Sequence, residues 1–100
     1  MDLSGLIKMA SIVITLKVMP ASPDENLGRI EKEAKKRIHE FAGSSDFKVA
    51  VEPVAFGLNS INITFVMDES KGSTESLEED IKAISGVGSV DITDVRRTIG

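Results

Sequence analysis

The chain has 100 residues, 41% hydrophobic and 28% charged, with a formal net charge of -4 and no cysteine. This length and balance suit one folded domain around one core, and the inventory excludes disulfides, thiolate nucleophiles, iron-sulfur clusters and Cys-type zinc sites. A net negative charge is repelled by phosphate backbones, and four phenylalanines are the whole aromatic stock for stacking on bases, so no direct nucleic-acid partner is expected.

The opening residues, MDLSGLIKMA, lack the basic start and long apolar run of a secretory signal. Residues 1–10 read as a flexible leader, with Met9 as a second candidate start, and residues 11–100 as a single domain. The longest uncharged run is shorter than the roughly 20 apolar residues of a membrane helix, and Asn59 and Asn62 interrupt it. No membrane association and a cytoplasmic location are expected.

From Ser11 to Met19, Ile12, Ile14, Leu16 and Val18 alternate with more polar neighbours, the pattern of a half-buried strand. Pro20 stops it. Ser22 then reads as a helix N-cap, with Pro23 at the first helical position and Glu25 three residues after the cap. Leu27, Ile30, Ala34, Ile38 and Phe41 form the apolar stripe, and Gly43 terminates the helix. The spacing also predicts i,i+4 pairs from Glu31 to Lys35 and from Glu33 to Arg37.

Phe47, Val49 and Val51 alternate in a second strand that continues through Pro53 towards Phe56. A proline donates nothing to a ladder, so this strand belongs at a sheet edge. After a turn at 57–60, Ile61, Ile63, Phe65 and Met67 mark a third strand. Lys71, Gly72 and Ser73 make a loop, and Leu77, Ile81 and Ile84 are the stripe of a shorter helix ending at Gly86. Ser89 to Arg97 supplies the last strand, with Val90 and Ile92 inward and an irregularity before Val95.

This order, β-α-β-β-α-β, is that of the α+β ferredoxin-like plait. Right-handed crossovers place two helices on one face of an antiparallel sheet with strand order 4-1-3-2.

Few residues suggest chemistry. His39, the only histidine, has no candidate metal ligand one helical turn away and reads as a solvated surface residue. Glu75, Glu78, Glu79 and Asp80 begin the second helix, where acidic charge complements the helix dipole, and read as a solvated face. No carboxylate pair or Ser-His-Asp set is placed for catalysis, so no enzymatic activity is expected. The GVG at residues 86–88 lacks the length and the Lys-Ser or Lys-Thr ending of a phosphate-cradling loop, and no cofactor is expected.

Two features ask for more. Phe56 stands directly before Gly57 at a chain reversal, where it either closes the end of the core or projects as an anchor of the type interfaces bury. Arg96 and Arg97 lie near the end of the last strand on opposite faces, and arginine suits phosphate and carboxylate recognition.

The stretches VMPASPDENLGRIEKE, EPVAFGLNSINITFVM and SLEEDIKAISGVGSVDITDVRR, with their spacing, resemble the archaeal elongation factor 1-beta family over Ile12 to Arg97. EPVAFGL and GVGSVDITDVRR are the most specific parts. The resemblance implies a guanine-nucleotide exchange factor for elongation factor 1-alpha, the GTPase that carries aminoacyl-tRNA to the ribosome, and a monomer when free. In the related eukaryotic domain the phenylalanine of a Gly-Phe-Gly hairpin contacts the GTPase, and a lysine near the C-terminus approaches the magnesium site. Phe56 and Gly57 match the Phe-Gly pair, while Ala55 replaces the first glycine and Arg97 stands in the place of the lysine. The resemblance thus makes Phe56, Gly57, Arg96 and Arg97 the partner-binding candidates.

Two other readings fit the same plait. One is a small-molecule-binding regulatory module, which the fold alone leaves open. The other is an acyl-phosphate hydrolase, which needs an arginine-bearing anion loop after the first strand; MPASPDEN carries no arginine.

Overall fold

The computed structural model describes residues 10–43 and 46–99. In chain order they form β1 (Ala10–Pro20), α1 (Leu27–Ala42), β2 (Lys48–Pro53), β3 (Asn59–Asp68), a 3-10 turn (Glu69–Lys71), α2 (Glu75–Lys82) and β4 (Val87–Ile99). The expected leader lies outside the described residues except for Ala10, which already opens β1 and pairs with Ile99.

All strand pairings are antiparallel, and the sheet order is β2-β3-β1-β4. Read from the other edge this is 4-1-3-2, the ferredoxin-like plait, with β2 and β4 outermost. Alternation along β1 and β3 puts Ile14, Leu16, Val18, Ile61, Ile63, Phe65 and Met67 on the face that the helices cover. Ile30, Ala34 and Ile38 from α1, with Leu77, Ile81 and Ile84 from α2 and the turn after it, fill that layer. Leu27 and Phe41 extend the α1 stripe as half-buried residues.

Pro53 fits the edge without loss of a ladder bond. Val54 N–H donates to the Leu58 carbonyl at 2.7 Å, which makes 54 and 58 a hydrogen-bonded pair. The adjacent pair, Pro53 and Asn59, is therefore of the non-hydrogen-bonded kind, so the proline nitrogen faces outward.

Several boundaries differ from the sequence expectation. The helix does not begin at Pro23. Its cap is Asn26, whose side chain accepts from Arg29 N–H at 3.1 Å, while residues 22–25 form a turn. Glu25 N–H donates to the Ser22 carbonyl at 3.3 Å within that turn, and Ala21 N–H just before it donates to the Gly86 carbonyl at 2.7 Å. Gly43, at φ 73°, closes α1 as expected, its N–H donating to the His39 carbonyl. Lys35 meets Glu31 at 2.9 Å, but Arg37 turns instead to the Asp80 carbonyl of α2 at 3.3 Å. α2 ends at Lys82 rather than Gly86, and the chain then reverses through Gly86 at φ 93°.

The reversal between β2 and β3 lies at residues 54–58, earlier than expected, and Ser60 is a buried strand residue. Val51 is 51% exposed although it shares the helix-side face, because it sits on the edge strand. β4 runs longer than Ser89–Arg97, with register shifts at Thr15/Leu16 and Met19/Pro20. The first leaves Thr93 unpaired between Ile92 and Asp94, the irregularity expected before Val95. Val90 and Ile92 pack against the core as expected.

Candidate functional site

Phe56 is 94% exposed at the tip of the β2–β3 hairpin, which decides between closing the core and projecting as an anchor. Leu58 N–H donates to the Ala55 carbonyl at 3.2 Å, so Phe56 and Gly57 are the two central residues of a β-turn. Their φ angles, 62° and 76°, are both positive, the combination that defines a type I′ turn. Such turns select Asn-Gly, Asp-Gly or Gly-Gly. Among the described residues Phe56 is the only one besides glycine with positive φ. A bulky side chain in this region is an outlier that the surroundings must impose, and here it stands in solvent on strained backbone.

Gly57 meets a backbone demand that any side chain would strain. A carbon placed on it would also lie 3.9 Å from Pro23 Cγ, so the β1–α1 loop stands next to the tip. Nothing local in the sequence connects Pro23 with Gly57, since 34 positions separate them.

Arg97 lies at the opposite end of the sheet. It pairs with Ile12 across β1 and β4, whereas the hairpin continues beyond the Val18–Ile61 pair. The six steps from Ile12 to Val18 and the two from Ile61 to Asn59 span about 26 Å at ~3.3 Å per residue, with the turn beyond. The structure therefore does not bring Phe56 and Arg97 together; it holds them apart on one rigid sheet.

Arg97 is 70% exposed and forms an ion pair with Glu69, whose position is set by the 3-10 turn after β3. Asp68 caps that turn by accepting from Ser70 N–H at 2.8 Å. Nothing local in the sequence marks Glu69, because the pairing arises from β3 and β4 flanking β1. Arg96 occupies the alternate register position, opposite Val13, and bonds Asp94 at 3.0 Å on its own strand. The two arginines thus have different partners on different faces.

His39 is exposed near the end of α1. Glu75, Glu78 and Glu79 of α2 line an open groove with Lys82 and Val90, and Val90 lies on β4, the sheet edge opposite β2. Among the described residues no group of three or more His, Cys, Asp or Glu side chains is placed to hold a metal ion, and no helix is long and apolar enough to cross a membrane.

Residues 13–98 match the EF-1 guanine nucleotide exchange domain family. The chain is similar to elongation factor 1-beta of Methanothermobacter thermautotrophicus, with 44% identity over 89 residues covering 89% of this chain and 98% of the relative. It is 36% identical to elongation factor 1-beta of Ignicoccus hospitalis over 93 residues, 92% of this chain and 97% of that protein. Elongation factor 1-beta of Methanosarcina barkeri is 34% identical over 89 residues, 89% and 99% of the two chains.

Proposed function

The chain belongs to the elongation factor 1-beta family, and we propose that it promotes GDP release from elongation factor 1-alpha by touching that GTPase at two separated points. The observation that carries this reading is the exposed, left-handed Phe56: a fold has no internal use for a strained aromatic in water, whereas an interface does.

In this reading Phe56 anchors the factor on one part of the GTPase and Gly57 allows the backbone to come close. Arg97, about 26 Å or more away at the other end of the sheet, delivers a cation towards the magnesium and phosphates. Its ion pair with Glu69 opens as it does so. Arginine keeps the charge of the family's lysine but carries a wider, planar head, so its approach is shallower. Arg96, held by Asp94, contributes less.

No covalent chemistry is required. A cation that weakens the magnesium and phosphate contacts weakens nucleotide binding, and by linkage bound nucleotide weakens the factor's grip equally. GTP then rebinds and the factor leaves. The factor acts as a free monomer in the cytoplasm, without a cofactor and without direct contact with nucleic acid.

The two points have distinct kinetic signatures. In stopped-flow release of a fluorescent GDP analogue, Phe56→Ala raises the factor concentration that gives half-maximal acceleration, while Arg97→Ala lowers the maximal release rate. If neither variant changes either quantity, the two-point mechanism is wrong. The regulatory-module alternative would show no acceleration by the wild-type protein.

A further inference from the structure

The loop between β1 and α1 is enclosed by two glycine-bearing turns. On one side Ala21 N–H donates to the Gly86 carbonyl at 2.7 Å, and the Arg29 guanidinium donates to the Ser85 carbonyl at 2.6 Å. Arg29 also stands 3.8 Å from the Glu25 carboxylate. A side-chain carbon on Gly86 would fall 2.5 Å from Glu25 Oε1, and one on Gly88 would fall 3.1 Å from Ala21 Cα and the Pro20 carbonyl. Gly86 is a glycine because its φ of 93° strains any side chain, and Gly88 because the loop backbone at Pro20 and Ala21 presses against it. This gives the two glycines of the GVG stretch a structural reason.

On the other side the same loop meets the hairpin tip. Among the described residues, and apart from the chain neighbours of Gly57, a carbon placed on it meets Cγ and Cβ of Pro23, at 3.9 and 4.0 Å. The loop is thereby a shelf, tied at its base to the α2–β4 turn and ending in a proline ring behind the turn that carries Phe56.

We propose that Pro23 is a positioning residue for Phe56. The inference rests on the reading of Phe56 as the GTPase anchor. A left-handed conformation is less favourable for phenylalanine than for glycine, and the turn itself is closed by a 3.2 Å bond at Leu58 N–H. A ring of fixed backbone angle, one methyl group's width from Gly57, bounds the space into which the tip can relax. The anchor is then ordered before it meets the GTPase, and the ordering is not charged against binding. Pro23 is exposed and outside the core, so its replacement leaves the fold in place.

The test combines release kinetics of a fluorescent GDP analogue from the GTPase with amide exchange of the free factor. Pro23→Gly raises the half-saturating factor concentration about fivefold, the size expected when ordering one side chain is deferred to binding. The maximal release rate is unchanged, and exchange at the Leu58 amide becomes faster while amides of the central strands stay protected. Pro23→Val, which restores Cβ and Cγ, recovers most of the loss. In the Phe56→Ala background Pro23→Gly has no further effect. An unchanged half-saturating concentration or an unchanged Leu58 amide overturns the positioning role while a Phe56→Ala defect preserves the anchor. An equal loss in both backgrounds also overturns it, since Pro23 would then act independently of Phe56. If Phe56→Ala itself is without effect, both readings fall.

Discussion

Replacing Phe56 by asparagine separates the needs of folding from those of binding. The ring is 94% exposed, so the free protein loses almost no buried surface when it goes. The backbone at φ 62° disfavours phenylalanine by about 1–2 kcal/mol, and asparagine is among the residues that tolerate it. Asn-Gly is moreover a preferred pair for a type I′ turn. Phe56→Asn is therefore expected to stabilise the free protein by about 1 kcal/mol, an increase of roughly 4–8 °C in Tm for a domain of this size. At the interface the same change removes an aromatic whose full burial contributes about 1.5–3 kcal/mol. A loss near 2 kcal/mol raises the half-saturating factor concentration about 30-fold. Urea unfolding or calorimetry reads the first effect and GDP-release titration the second. A variant that is clearly less stable than wild type would refute the account of the turn; one that exchanges normally would refute the anchor.

Phe65, 1% exposed within the core, provides the contrast: Phe65→Ala should destabilise by about 3–5 kcal/mol in urea unfolding. Arg97→Ala should slow GDP release strongly with little change in Tm, Arg97→Lys should keep much of the activity, and Arg96→Ala should have the smaller effect, because an exposed charge adds little to folding. Glu69→Gln frees Arg97 from its ion pair, so it should change stability by less than about 1 kcal/mol and leave release as fast as wild type or faster; slower release would mean that Glu69 aims Arg97. Asn26→Ala should reduce stability by about 1 kcal/mol while Ser22→Ala is nearly neutral, since Asn26 is the residue that caps α1; the reverse order in thermal melts would restore the cap to Ser22.

The strands and the helix stripes were legible because burial here follows periodicity. Ile14, Leu16 and Val18 alternate inward, and Ile30, Ala34 and Ile38 recur along one helix face. Topology followed from element order and from Pro53. Two cap-forming residues, Ser22 and Asn26, lie four positions apart, and local rules do not rank them. The segment between them is tied to a distant turn, through Ala21 N–H to the Gly86 carbonyl and Arg29 to the Ser85 carbonyl, contacts that local rules do not contain. At the hairpin, moving the turn from 57–60 to 54–58 changes which residue occupies its centre, so the orientation of Phe56 was undecided until the register was known. The Arg97–Glu69 pair and the Pro23–Gly57 approach join segments remote in sequence, and periodicity carries no information about such pairs.

Exchange activity is read from the rate of GDP release from the matching elongation factor 1-alpha, preloaded with a fluorescent GDP analogue and mixed with excess GTP. Adding the factor should accelerate release, saturably with factor concentration, and the acceleration should fall as free magnesium is raised against the Arg97 cation. Release at the intrinsic rate at every factor concentration would contradict the exchange activity.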